Sequence, residues 1–136
     1  MFSPTSLPFG ISSAGPIFER KIDDTLRKTE NTAWRVDDIL ITGPDDESHM
    51  KNVRTVITAL ENEGYKCRLD KCVFMEPKVT FLGHEVSADG IRPLSSKVET
   101  IVRAPYPTTR AEMISFLGGA QYYSRFIPNM STVVDC

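Results

Sequence analysis

The sequence of 136 residues has the size and composition of one globular domain, since 40% of its residues are hydrophobic, 25% are charged and its formal net charge is −2. This composition excludes disordered and fibrous chains. No apolar run reaches the ~20 residues of a membrane-spanning helix, and the N-terminus lacks the basic and apolar segments of a secretory signal. The sequence therefore predicts an intracellular protein, cytoplasmic or nuclear, with no membrane partner and with reduced cysteines.

Two elements are predicted after an irregular lead-in at residues 1–6. The first is a helix over about 16–28, in which Phe18, Ile22 and Leu26 recur at helical spacing. The second is a tight hairpin, because two short β-prone runs flank the turn-forming pair Asp37-Asp38. The hairpin would carry two carboxylates at its tip.

The aspartate pair supports two interpretations. Adjacent carboxylates repel each other, so a nearby cation is needed to hold both ionised in a confined site. Oxygen ligands favour a hard ion, magnesium or manganese, over zinc. In the simpler interpretation, Asp37 and Asp38 are polar turn residues that face water.

A second helix is predicted to begin at Asp45-Asp46, which suits an N-cap, and to end at Gly64 as a left-handed C-cap. The β-prone residues that follow predict strands in which Cys67 and Cys72 are small apolar members of a strand layer. Two further strands are predicted over residues 79–87 and 90–92, joined by a turn at residues 88–90.

The last third of the chain is predicted to be helical. Ser96 to Glu99 and Thr109 to Glu112 each fit a capping box at the start of a helix. Base stacking is an alternative for Tyr122, Tyr123 and Phe126. Tyr123 and Phe126 recur with the apolar residues of the helix that starts after Thr109, so a core position is favoured for these two. The whole order of elements predicts an α+β fold.

Charge is divided unevenly, with 7 basic and 11 acidic side chains in residues 1–65 and 9 basic and 7 acidic ones in residues 66–136. A polyanion is therefore expected to lie along the second half. Lys97, Arg103 and Arg110 are the candidate nucleic-acid contacts there. The acidic first half would need metal ions to approach phosphate.

Short motifs that occur in a fixed order carry a family resemblance. They are Leu7-Pro8-Phe9-Gly10, Ser13-Ala14, Phe18, Val36-Asp37-Asp38-Ile39-Leu40, Lys71-Cys72, Phe74, Phe81-Leu82-Gly83-His84, Ser115-Phe116-Leu117-Gly118 and Tyr123-x-x-Phe126-Ile127-Pro128. The set resembles the reverse transcriptase of Gypsy-type long-terminal-repeat retrotransposons, a part of the Pol polyprotein, from about Leu7 to Val134. The resemblance implies a palm over residues 7–92, with an antiparallel sheet and packed helices, and a truncated helical thumb over residues 93–136.

The resemblance also implies roles for individual residues. Asp37 and Asp38 would be the second and third members of a catalytic aspartate trio and would bind magnesium or manganese. Pro8, Phe9 and Gly10 would belong to the nucleotide pocket. The primer grip, the hairpin that positions the primer's terminal hydroxyl, would consist of Phe81, Leu82, Gly83 and His84. The implied reaction is nucleotidyl transfer assisted by two metal ions, with an RNA or DNA template–primer and a deoxynucleoside triphosphate as partners.

Departures from the family pattern lead to an expectation of an incomplete domain. The family's first catalytic aspartate and its fingers lie upstream of the Leu-Pro-Phe-Gly segment and have no counterpart in these 136 residues. Arg35 stands where the family usually has a tyrosine, so it would either pair with Asp37 or Asp38 or contact phosphate. The chain alone is expected to be inactive, to work with the remaining Pol domains, and to self-associate through an exposed sheet edge.

Other interpretations stay open at several positions. Cys67, Cys72 and His84 have poor spacing for a zinc site. Asp23-Asp24 could replace the missing aspartate, although solvation on a helix surface explains them more simply. For the chain as a whole, the alternatives to a polymerase palm are a non-catalytic module that binds nucleic acid or protein, and a decayed element with no selected role.

Overall fold

The computed structural model describes residues 10–130 and has an α+β fold, as predicted. Its elements are α1 (Ala14–Leu26), β1 (Thr32–Arg35), β2 (Asp38–Ile41), α2 (Asp46–Asn62), β3 (Lys78–Phe81), β4 (His84–Ser87), β5 (Gly90–Pro93), α3 (Ser95–Val102) and α4 (Arg110–Tyr122), with short 3-10 turns at Leu69–Lys71 and Ser124–Phe126. Two compact units divide between Met75 and Glu76. Within residues 10–130, no helix has the length and apolar character needed to cross a membrane.

The core of the first unit lies between α1 and α2. Ile22 and Leu26 of α1 pack with Val56 and Leu60 of α2, and all four side chains are buried. Partly buried neighbours, including residues of both strands, surround this cluster: Phe18, Trp34, Ile39, Ile41, Ala59 and Tyr65. The predicted helical spacing of α1 is therefore confirmed, and the cluster seats the β1–β2 hairpin on the helices.

Both ends of α2 form as predicted. The Asp45 carboxylate accepts a hydrogen bond of 2.7 Å from the Ser48 backbone N–H, and this bond lowers the pKa of Asp45. Gly64 follows the last turn with φ +79°, the left-handed conformation that glycine adopts without a steric penalty. These caps fix where the helix begins and ends after the hairpin.

The second unit contains a three-stranded antiparallel sheet in the order β3-β4-β5. The prediction of one strand over residues 79–87, made from the β-prone residues, is wrong, because the chain reverses at Leu82-Gly83 and pairs Phe81 with His84. The hairpin that the family resemblance implies at residues 81–84 is present. Both turn residues have positive φ, +49° and +75°, which matches the right-handed twist of the flanking strands. Leucine rarely adopts this conformation, so composition alone did not indicate the turn.

Of the two predicted capping boxes, only the second forms. Thr109 Oγ1 accepts a hydrogen bond from Glu112 N, and the Glu112 carboxylate accepts bonds from the backbone of Thr108 and Thr109, which lower its pKa. The box predicted at Ser96 is wrong, because α3 has Leu94 as its N-cap and no side chain caps it.

The predicted strands at Cys67–Phe74 are also wrong. Residues 69–71 form a 3-10 turn, closed by a backbone bond from Cys72 N to Leu69 O, and Asp70 within it forms an ion pair of 2.6 Å with the preceding Arg68. Cys67 and Cys72 are exposed thiols rather than members of a strand layer. The lead-in at residues 1–6 lies outside the described residues, and the predicted palm–thumb boundary between residues 92 and 93, which falls within β5, stays a prediction.

Candidate functional site

A two-residue turn presents the aspartate pair. Strands β1 and β2 pair antiparallel with Arg35 opposite Asp38, which leaves Val36 and Asp37 as the turn residues. Val36 has φ +51°, an uncommon conformation for a β-branched residue. Asp37 and Asp38 are both exposed at this tip. The hairpin predicted from the β-prone runs is therefore confirmed, with its carboxylates directed to solvent at one end of the sheet.

The chain contains three pairs of sequence-adjacent aspartates, and their contacts differ within the described residues. In the pair on α1, Asp23 Oδ1 accepts a 2.6 Å hydrogen bond from the indole N–H of Trp34, and Asp24 lies 3.6 Å from the Arg27 guanidinium. These two carboxylates therefore have partners within the first unit. These contacts do not favour the alternative in which Asp23-Asp24 takes the place of the family's first catalytic aspartate.

In the pair that begins α2, Asp45 is occupied as the helix cap. Asp37 and Asp38, by contrast, form no hydrogen bond or ion pair with any side chain of residues 10–130. An exposed pair of like charges without protein partners keeps its lone pairs available to solvent or to a cation. Among the three pairs, this one has the donor chemistry of an open site.

Arg35 does not neutralise the aspartates that follow it. Its guanidinium instead pairs with the carboxylate of Glu19 on α1. Glu19 and Asp23 are four residues apart, so they lie on one side of α1 and contact Arg35 and Trp34 of β1 respectively. Of the two alternatives for Arg35, the pair with Asp37 or Asp38 is therefore absent from the described residues, and α1 binds the guanidinium instead.

The residues at the turn match a divalent cation in chemistry but are too few to enclose one. Carboxylate oxygens are the ligands that magnesium and manganese prefer. Within residues 10–130, no group of three or more His, Cys, Asp or Glu side chains is placed to hold a metal ion. Asp37 and Asp38 thus fit as part of a coordination shell, and the zinc alternative at Cys67, Cys72 and His84 has no support.

The Leu82-Gly83 turn of the second unit accepts hydrogen bonds from two tyrosines that lie outside the sheet. Tyr122 Oη donates a 2.6 Å hydrogen bond to Leu82 O, and Tyr123 Oη donates a 3.2 Å bond to Gly83 O. Tyr123 is buried, which confirms its predicted core position. The bonds to the turn were not predicted, because the partners are 40 residues apart and no local pattern relates them.

The remaining predicted site residues are less informative. Pro8 and Phe9 lie outside the described residues, and Gly10 is an exposed residue with φ +85°. Lys97 lies on α3, Arg103 ends it and Arg110 begins α4, and all three are exposed. Glu99 approaches Arg103 to 3.7 Å, so this guanidinium is partly compensated.

Comparison with known proteins identifies the family. Residues 1–86 match the family described as reverse transcriptase (RNA-dependent DNA polymerase). The chain belongs to this family.

A curated relative places this reverse transcriptase segment within a longer polyprotein. It is 39% identical over 129 residues to the retrovirus-related Pol polyprotein from transposon 297 of Drosophila melanogaster, an alignment that covers 93% of this chain and 12% of the polyprotein. The chain therefore spans about an eighth of the length of this relative.

Solved structures agree with the assignment. The foamy viral protease–reverse transcriptase dRH in complex with double-stranded DNA matches with a TM-score of 0.83 at 28% identity, over 94% of this chain and 23% of that one. The same viral enzyme in complex with an RNA/DNA hybrid matches with a TM-score of 0.77 at 28% identity, over 96% and 18%. The predicted membership of the reverse transcriptase family is confirmed.

Proposed function

We propose that this chain is the palm and the start of the thumb of a retrotransposon reverse transcriptase, and that Asp37 and Asp38 are catalytic metal ligands. The observation that supports the proposal is the open carboxylate pair at the β1–β2 turn, which alone among the three aspartate pairs has no side-chain partner within residues 10–130. The Gypsy-type assignment is part of this proposal, as are the palm over residues 7–92 and the thumb over residues 93–136.

The proposed reaction is the transfer of a deoxynucleotide to the 3′-hydroxyl of a primer on an RNA or DNA template. Divalent magnesium or manganese, when bound, supplies charge neutralisation at the phosphates and activation of the hydroxyl. Asp37 and Asp38 would hold the metal from one side of the reacting groups. The backbone of the Val36-Asp37 turn fixes the separation of their carboxylates. Glu19 keeps Arg35 from occupying the same carboxylates.

The other sites have supporting roles in the proposal. Pro8, Phe9 and Gly10 would line the nucleotide pocket, and Phe81, Leu82, Gly83 and His84 would form the primer grip. Lys97, Arg103 and Arg110 would contact the template–primer backbone. Support for a nucleic-acid partner comes from the viral relatives, which are described in complex with double-stranded DNA and with an RNA/DNA hybrid.

The proposal includes two further partners. One is a second copy of this chain, bound through a sheet edge, and the other is the remaining domains of Pol. The β1–β2 sheet has two strands within the described residues, so each strand has one edge without a strand partner there. A two-stranded sheet is marginally stable on its own. An additional strand, from a longer polypeptide or from a second copy, would satisfy these backbone groups.

A non-catalytic nucleic-acid-binding module is the second candidate function. The observation that favours it is the small number of ligands, because the described residues bring no third carboxylate to Asp37 and Asp38. On either account, a polypeptide of these 136 residues alone should not extend a primer. Even ~2.8 kcal/mol of lost metal assistance would slow the reaction about a hundredfold.

Primer extension distinguishes the two candidates. A longer polypeptide, in which the family's preceding segment is joined to these residues, should extend a DNA primer on an RNA template with magnesium or manganese. Asp37→Asn or Asp38→Asn should abolish the extension, whereas Asp89→Asn, at an exposed turn aspartate outside the site, should not. Equal activity in all variants would contradict the catalytic assignment, and template–primer binding without extension would favour the non-catalytic module.

A further inference from the structure

The carbonyl groups of the Leu82-Gly83 turn have an unusual number of hydrogen-bond donors. Leu82 O accepts from Tyr122 Oη at 2.6 Å and lies 2.9 Å from Nδ1 of His84. Gly83 O accepts from Tyr123 Oη at 3.2 Å and from Leu94 N at 3.2 Å. The carbonyl groups of a surface turn ordinarily face water. Here, two consecutive carbonyls bind two consecutive tyrosines at the end of α4.

Aromatic packing surrounds the same turn. The His84 ring lies with its centroid 5.3 Å from Tyr122, 5.4 Å from Tyr123 and 5.7 Å from Phe126. Tyr122 and Tyr123 meet edge to face at 4.9 Å, the arrangement that aromatic quadrupoles favour. His84 is therefore restrained by ring contacts with three aromatic side chains and by a hydrogen bond to the turn that precedes it.

Gly83 also indicates a close approach. A Cβ at this position would lie 3.0 Å from Tyr123 Oη, and its φ of +75° already disfavours other residues. The Gly83 backbone and the Tyr123 hydroxyl are thus so close that a larger residue at position 83 would crowd them. Leu82 is held at φ +49°, a conformation that surrounding contacts must maintain.

We propose that Tyr122 and Tyr123 are positioning residues that fix the Leu82-Gly83 turn and His84 to the end of α4. The turn and this helix then move as one body when they contact the 3′-end of a bound primer. The assignment of the turn to the primer end rests on the proposed function. The attachment itself rests on the two hydroxyl–carbonyl bonds and the His84 contacts.

The test uses the full 136-residue polypeptide and substitutions that remove a hydroxyl but keep a ring. Tyr122→Phe should change the carbonyl 13C chemical shift of Leu82, and Tyr123→Phe that of Gly83, because each hydroxyl donates to one carbonyl. Amide exchange at His84 should accelerate about threefold to tenfold in each variant. Tyr106→Phe is the matched control, since Tyr106 is 96% exposed and forms no hydrogen bond through its side chain within the described residues.

The functional part is measured by binding of a duplex with a recessed 3′-end and a blunt duplex of equal length. The wild-type chain should prefer the recessed end, and the Tyr122→Phe/Tyr123→Phe variant should lose about threefold to tenfold of that preference, while Tyr106→Phe keeps it. If the double variant does not fold, the two single variants supply the same comparison.

Each result decides one question. Unchanged carbonyl shifts and exchange rates in the phenylalanine variants would overturn the attachment. Faster exchange with an unchanged preference for the recessed end would overturn the positioning role and leave the tyrosines as structural residues. A wild-type chain without any preference for the recessed end would instead refute the proposed primer grip, and the chemical shifts would still decide whether the tyrosines hold the turn.

Discussion

Gly43, in the connection between β2 and α2, is the position where a single methyl group should do most harm to the first unit. A Cβ there would lie 2.4 Å from the backbone nitrogen of His49, 2.6 Å from its Cα and 2.9 Å from its Cβ. All three atoms belong to the first turn of α2 and two of them are backbone atoms, so no side-chain rotation can relieve the overlap. The connection itself must move, and with it Ile41, at the end of β2 opposite to the aspartate turn.

The expected cost of Gly43→Ala follows from this geometry. Overpacking a well-packed site costs ~1–3 kcal/mol, and backbone overlap belongs at the upper end, so we expect a loss of about 3 kcal/mol. For a unit of this size, each kcal/mol lowers the melting temperature by ~4–8 °C, so Gly43→Ala should melt at least ~12 °C below the wild-type chain. A loss of this size also removes much of the stability of an ordinary domain.

Thermal and urea unfolding, followed by fluorescence, measure this effect. Trp34 is the single tryptophan of the chain and borders the core of the first unit, so its emission reports on that unit. Gly15→Ala is the matched control, because Gly15 lies in α1 and a Cβ there would have nothing within 4 Å. The control should be neutral or stabilise by up to ~1 kcal/mol. A Gly43→Ala variant within ~0.5 kcal/mol of the wild-type chain would refute the packing argument.

Two further predictions concern charge. Arg35→Tyr should tighten manganese binding at the aspartate turn about twofold to fivefold, and Glu19→Gln, which frees the Arg35 guanidinium, should weaken it by a similar factor, as titration of the two variants would measure. If Glu19→Gln has no effect, Glu19 does not control Arg35. Neutralising Lys97, Arg103 and Arg110 together should weaken duplex binding and reduce the slope of log affinity against log salt by about 3, and a salt-independent affinity would exclude this electrostatic account.

Local sequence patterns predicted the elements whose stability is local. The spacing of Ile22 and Leu26 indicated α1, the Asp45 and Thr109 caps located α2 and α4, and β-prone runs around Asp37-Asp38 indicated the hairpin. Each of these signals involves residues within one or two turns of each other. These signals can therefore be interpreted from the sequence without knowledge of tertiary contacts.

The errors arose where distant or uncommon contacts decide the structure. Leu82 adopts a positive φ that its side chain does not favour, so the turn that divides β3 from β4 had no compositional signal. The Arg35–Glu19 pair spans 16 residues and the Tyr122–Leu82 bond spans 40, so neither follows from spacing. At Cys67–Phe74, β-propensity predicted strands, although without a neighbouring strand such a segment satisfies its backbone in a 3-10 turn instead.

The central claim, that Asp37 and Asp38 form an open cation site, is tested most directly by manganese titration of the 136-residue polypeptide with amide resonances as the readout. The other two aspartate pairs, at residues 23–24 and 45–46, are internal controls because protein groups occupy at least one carboxylate in each.

Paramagnetic broadening should begin at the amides of Val36 to Ile39 at lower manganese concentration than at either control pair. It should disappear from these amides in Asp37→Asn/Asp38→Asn and persist in Asp89→Asn. Broadening that is equal at all three pairs, or that remains at residues 36–39 in the double variant, would contradict the account.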